Sequence, residues 1–279
     1  MSSHVVSAET IPSTAAALRA PIALFVVIYA LAFAGTTILH ELAHALTAAL
    51  FGGKPVMYSG HVVSDLASRD AIAWVAAAGP LFSLAQGVLL TAVSPAIARQ
   101  PASVRLLCLW GGIDGFVNCF GYLLSTPFPI RGDLGKLARV LEWSSGVRWA
   151  AFGLGVLGIL AVGKLAAHRL LRFAPAPEAV ADARARAWFI VQIGIVPWLL
   201  SGVLSFLADY PAPTWLSYAY DLISGCYLLG TRRHAARLSP PVLPAQPGLS
   251  SPLWPWALAL CAVAAVIVFV LRSGVRVAW

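Results

Sequence analysis

The amino-acid sequence predicts an all-α, polytopic transmembrane helix bundle of about seven helices, with a short hairpin or re-entrant loop between the first two. Three observations carry this expectation. The 279-residue chain is 59% hydrophobic and 11% charged, whereas soluble globular domains carry about 25% charged residues. Its mean hydropathy is +0.82. Its apolar residues also fall in runs long enough to cross a hydrocarbon core of about 30 Å, for which about 20 residues suffice.

Residues 1–20 form a polar tail whose one basic residue is Arg19, and the apolar run that follows is too long for a cleaved signal peptide. The expected spans are residues 22–50, 71–93, 106–124, 147–165, 187–207, 214–229 and 254–271. The sixth is short and carries Asp221. Between the first two spans, residues 52–70 place turn residues around 56–58 and 62–63, which reads as a hairpin or re-entrant loop. Such a loop is tolerated at membrane depth only where it lines a cavity, and its edge could pair with an extended substrate strand.

Residues 21–166 hold every candidate for chemistry, and residues 167–186 read as a charged, Pro- and Ala-rich linker. Residues 187–279 carry the accessory helices, interrupted by a Pro-rich loop at 231–252 that reads as extended. The glycines in "FGLGVLGILAVG" (residues 152–163) allow the fourth helix to approach a neighbour closely. Cys108, Cys119, Cys226 and Cys261 lie in apolar segments without a C-x-x-C spacing, so they read as packing residues. The formal charge of +8 comes mostly from arginines in loops. That pattern suits contact with the headgroups of a lipid bilayer and argues against nucleic acid as a partner.

The first apolar run contains "HELAH" at residues 40–44. Residues four apart share a helix face, so His40 and His44 can each offer a ring nitrogen to one ion, with Glu41 beside them. Multiplying residue frequencies, such a pattern arises by chance in roughly two of a thousand chains of this composition. Ionisable groups at membrane depth need a partner or a watery cavity, and a bound metal supplies one. With zinc there, Glu41 would serve as general base in peptide hydrolysis. The competing structural reading has the three side chains hydrogen-bonding one another between helices. Two imidazoles leave zinc short of its usual three protein ligands. The second helix has no acidic residue within its apolar run, so the third ligand falls to Asp114, Asp133 or, more remotely, Asp65, Asp70 and Asp221.

Three stretches together resemble the site-2 proteases, a family of intramembrane zinc metalloproteases. They are "HELAH" in the first helix, "AAAGPLFS" (residues 76–83) in the second and "NCFGYLLSTPFPIRGDLG" (residues 118–135) at the end of the third. The resemblance covers about the first half of the chain. It implies zinc held by His40, His44 and Asp133, Glu41 as the catalytic base, Asn118 holding the extended substrate backbone, and a membrane-protein substrate. Asp133 stands further from Asn118 than in the usual family pattern and is flanked by Gly132 and Leu134 rather than followed by glycine. Asp114 is followed by Gly115 but precedes the asparagine and both prolines, the wrong order for the family. Pro80 is expected to kink the second helix where residues 76–79 permit close approach to the first. His61 could stabilise an oxyanion or be a solvated loop histidine. The resemblance points the HExxH end toward the cytoplasm, whereas the Lys/Arg bias of the loops favours the opposite orientation. Arg far outnumbers Lys and Ala is abundant, which suits a GC-rich bacterium and a location in its cell membrane. The rival functions are a catalytically silent membrane binding partner and a metal-ion transporter that uses the same polar stripe.

Overall fold

The computed structural model describes residues 14–128, 132–209, 223–239 and 252–277. Six of its helical segments are long and apolar enough to cross a membrane: Ile22–Leu50, Arg69–Val93, Ala102–Leu124, Ser145–Phe173, Ala183–Ser205 and Leu253–Ser273. The protein is a membrane-spanning helical bundle, as the hydropathy predicts. The expected span 214–229 falls largely outside the described residues. Its last residues enter a shorter helix, Tyr227–Arg237.

Helix α1 (Thr14–Leu50) begins within the expected polar tail. A hairpin of β1 (Val56–Met57) and β2 (Val62–Val63) leads to α2 (Arg69–Val93), whose start is capped by the Ser68 hydroxyl accepting the Ala71 N–H. Helix α3 (Ala102–Leu124) returns across the bundle, and the short α4 (Asp133–Val140) lies across its far end. Helix α5 (Ser145–Leu170) packs on α3 through its glycines: a Cβ at Gly155 would lie 2.9 Å from the Phe120 carbonyl oxygen. Helices α6 (Ala183–Ile190) and α7 (Val196–Asp209) are one continuous path through a π-helical turn, Val191–Ile195. Pro197 follows that turn and cannot donate to the helix ladder, a recognised cause of such irregularity. Helix α8 (Tyr227–Arg237) packs on α5 and α6, and α9 (Leu253–Ala265) lies on α1. The main core is apolar and aromatic, centred on Trp110, Phe25, Ile28 and Tyr29 of α1 and α3, with Ile190, Ile193 and Leu228 from the later helices.

The segment after α9 changes one expectation. Strand β3 (Val275–Arg276) pairs antiparallel with β1, so the sheet order is β2-β1-β3. The hairpin expected between the first two helices is present, but β1 has a partner on each side. Ala45, Met57 and Leu271 form a small buried cluster beneath the sheet, and Val277 N–H donates to the Pro55 carbonyl at 3.0 Å. The outer edges left to an incoming strand are those of β2 and β3.

The expected linker is more regular than its composition suggests, and residues 240–251 of the expected Pro-rich loop lie outside the described residues. Residues 171–180 form two 3₁₀ turns, and the start of the proline-rich stretch belongs to α8. One side chain accounts for much of this. Arg186 is buried, and its guanidinium donates to the carbonyls of Val180, Ala181, Ala235 and Ala236 at 3.0–3.3 Å. It satisfies carbonyls at the end of α8 and clamps the turn before α6 in the same act. The four donors leave a rigid planar fork that an ammonium cannot reproduce. Arg186→Lys should therefore lower thermal stability by about 2 kcal/mol, and Arg186→Ala by more, because buried carbonyls lose their donors. Unfolding of the purified protein in detergent measures this, with unchanged metal content as the control.

Candidate metal centre

Three donors converge where α1, α2, α3 and α4 meet. His40 Nε2 lies 2.9 Å from Asp133 Oδ2, His44 Nε2 lies 3.1 Å from the same oxygen, and the two ring nitrogens are 3.1 Å apart. Among the described residues this is the group of His, Cys, Asp and Glu side chains that could hold a metal ion. Both histidines are buried, and Asp133 is partly so.

Each ring is held from behind. His44 Nδ1–H donates to the Val75 carbonyl, which can only accept, so this nitrogen carries the proton and Nε2 presents a lone pair. His40 Nδ1 bonds the Ser83 hydroxyl at 3.0 Å, and the face of its ring stacks on Tyr122 with centroids 5.3 Å apart. With the Ser83 hydroxyl accepting from His40 Nδ1–H, two imidazole lone pairs and a carboxylate oxygen face one another. That grouping is repulsive unless a proton or a metal ion lies among them. A four-coordinate ion with bonds of about 2.0–2.1 Å sets its ligand atoms about 3.3 Å apart, close to the spacing of this triangle. The outer hydrogen bonds to Val75 and Ser83 are of the kind that fix tautomer and orientation in metal-ligating histidines.

Space for the triangle comes from Gly79. A Cβ there would lie 2.6 Å from His40 Nε2 and closer still to His44 Nε2. Pro80 follows it within α2, in the turn whose carbonyls include that of Val75. The close approach expected of residues 76–79 is thus found. The sequence gives no signal for Ser83 and the Val75 carbonyl as partners of the rings, nor for Tyr122 beneath His40, because each depends on the register between helices.

Asp133 reaches the histidines as the first residue of α4, after Gly132. Gly132 is extended, with φ −175 and ψ 159, so the turn does not draw on glycine's conformational freedom as the loop's composition suggests. Helix α4 is held across the bundle at its other end. Arg69 Nε donates to the Val140 carbonyl at 2.6 Å, Arg69 also pairs with Glu142, and Arg148 donates to the Trp143 and Ala138 carbonyls. Glu142 takes the left-handed conformation, φ 55, that ends the helix.

Glu41 is buried beside His40 on α1 and interacts electrostatically with His44 and Asp133. The other candidates lie elsewhere. Asp114 is buried on α3 and lines a small cavity with Asn118, Thr36 and Thr37, one turn of α1 before the histidines, and it is not part of the donor group. Asn118 faces this cavity too. Asp65 accepts the Lys54 backbone N–H at 2.7 Å, and Asp70 is exposed in the first turn of α2. Asp221 lies outside the described residues. His61 is exposed at the hairpin turn and stacks on Tyr58 with centroids 4.6 Å apart, as a loop histidine.

No protein-family model, curated protein or solved structure matches the chain. The reading of this centre therefore stands on its own geometry. Purified protein should carry about one divalent metal ion, because three converging donors suffice for one. His40→Ala, His44→Ala and Asp133→Ala should each lower its content in elemental analysis, and Asp114→Ala should leave it unchanged. Gly79→Ala should also lower it while circular dichroism stays helical, since the added methyl displaces both rings without removing a ligand.

Proposed function

We propose that this protein is an intramembrane zinc endopeptidase resembling the site-2 proteases, hydrolysing peptide bonds in or near transmembrane segments of membrane-protein substrates. The observation that carries the reading is the triangle of His40, His44 and Asp133 with Glu41 on the same helix, set within a membrane-spanning bundle. Two imidazoles and one carboxylate form a donor set that suits zinc and is common where zinc is catalytic. The convergence of Asp133 rather than Asp114 also agrees with the order of residues the resemblance implies. A bacterial cell membrane is the proposed location, on the strength of the Arg- and Ala-rich composition.

Zinc bound there supplies Lewis acidity, which lowers the pKa of water and polarises a substrate carbonyl. The remaining work falls to this chain's residues. His40, His44 and Asp133 fix the ion, and Val75, Ser83 and Tyr122 fix the rings. Glu41 takes a proton from the attacking water and delivers it to the leaving amine. The water oxygen bonds to the carbonyl carbon, the C–N bond breaks, and the new amine and carboxylate leave. A helical peptide bond is shielded by its own backbone hydrogen bonds, so the substrate must unwind locally. The outer edge of β2, with Val63 exposed, offers one surface for an extended chain.

Glu41→Gln should retain the metal and lose cleavage of a membrane-spanning peptide by about 10³-fold, because it removes the base while keeping the shape. The assay is cleavage in detergent or lipid bilayers, using substrates with helix-loosening residues near the target bond. Turnover near the wild-type rate in the Gln variant would exclude the role of Glu41. Metal binding without cleavage of any such substrate by the wild-type protein would instead favour a silent binding partner or a transporter.

A further inference from the structure

The middle of the bundle contains polar groups that the metal centre does not use. Asp114 Oδ2, Tyr227 Oη, Gln86 Oε1 and Trp110 Nε1 are buried without hydrogen-bond partners. They belong to one neighbourhood. Asp114 and Trp110 are one turn apart on α3, and Tyr227 of α8 interacts electrostatically with Asp114. Gln86 Nε2 donates to Thr36 Oγ1 and to the Gly111 carbonyl, both at 2.7 Å, which fixes its amide so that Oε1 is the end left over. Asp114 and Thr36 line a cavity of about 10 Å³ together with Phe33, Thr37, Asn118 and Ser224. That volume suits a single water molecule, which needs about 10–15 Å³ and two to four polar partners.

The chemistry of the unpartnered atoms identifies the ligand. Asp114 Oδ2 and Gln86 Oε1 can accept, while Trp110 Nε1–H can only donate. A bare cation serves acceptors and leaves an indole N–H unsatisfied. An apolar occupant satisfies none of them. Water donates and accepts, and unpartnered buried groups of both kinds are the usual mark of an internal hydration site. We propose that the Asp114 cavity and the groups around it form an internal water site at the centre of the bundle, distinct from the metal centre and one helical turn from it.

Its position suggests a use. Thr37 lines the cavity and stands four residues before Glu41 on α1, so a molecule held there is one turn from the proposed base. Hydrolysis consumes one water per bond, at a depth where the bilayer offers none. The site would store that reactant on the side of the centre away from the hairpin. This use rests on the peptidase reading, whereas the existence of the water site does not.

Hydroxyl-radical labelling by X-ray radiolysis of the full-length protein in detergent separates the two. Radicals form where water is, so buried residues beside internal water label quickly while dry ones do not. Trp110 and Tyr227, which carry unpartnered polar atoms, should label about tenfold faster than Phe25 and Phe189, wholly apolar side chains of the same core. Asp114→Leu should reduce labelling of Trp110 and Tyr227 about fivefold, and Asp114→Asn, which keeps a polar group, should retain it. Equal labelling of the two pairs in the wild type, or labelling unaffected by Asp114→Leu in a protein that still melts cooperatively, overturns the site. If the labelling holds and the wild-type protein cleaves, Asp114→Leu should lower kcat with KM unchanged. If the labelling holds and no substrate is cleaved, the peptidase reading fails and the water site stands.

Discussion

Two imidazole nitrogens and a carboxylate oxygen about 3 Å apart inside an apolar bundle repel one another unless a proton or a metal ion lies among them. Much of this half of the chain follows from that constraint. The Val75 carbonyl obliges His44 to carry its proton on Nδ1, so Nε2 is committed to the triangle as a lone pair. A proton on a ring nitrogen can meet the demand for charge, but a metal ion meets it for all three donors together. A metal ion would therefore compete with protons at this site, whose donors already converge without it. Preorganisation of this kind needs rigid neighbours, and here α2 holds both rings from behind while α3 places Tyr122 beneath His40.

Those neighbours reach the site because α2 gives up bulk where it crosses α1. Gly79 leaves room for both ring nitrogens, and Pro80 disturbs the same turn. Helix α4 contributes only eight residues, yet it sets the third ligand. Such a short helix is not stable alone. It holds its place because Arg69 bonds the carbonyl at its end and Arg148 bonds two more around the turn that follows. The Arg69–Glu142 pair is exposed and adds little by itself. The bonds to backbone carbonyls matter more, since they fix the direction in which α4 presents Asp133.

The parts of this design that rest on spacing along one helix can be read in the sequence. His40, Glu41 and His44 are such a case, and so are the apolar runs of the spanning helices, because periodicity and length are local properties. Asp133 required more. Motif order pointed to it over Asp114, but the geometry that brings it to the histidines depends on α4, which has too few residues to give a clear periodic signal. The contacts of Ser83, the Val75 carbonyl and Tyr122 were not legible, because they are set by how helices rotate against one another. The order within the linker was not legible for a related reason. Its prolines and charges look solvated, but Arg186 turns inward to four carbonyls, and nothing in the composition distinguishes an inward arginine from an outward one.

Strand β3 was equally out of reach for sequence reasoning, since a two-residue pairing between distant segments leaves no pattern, yet it alters what the hairpin can do. A hairpin by itself presents two unpaired edges and is marginal in stability. With β3 added, β1 becomes a central strand, and the cluster of Ala45, Met57 and Leu271 ties the sheet to the face of α1 next to Glu41. The helix that carries His40 and His44 is thereby buttressed on two sides, by α2 through the histidine rings and by the sheet through Ala45. An extended peptide that adds to this sheet meets β2 or β3 rather than β1. On the proposed peptidase reading, selectivity for such a peptide would lie in strands held by packing to the helix of His40 and His44, which would link binding at the edge to geometry at the centre through α1.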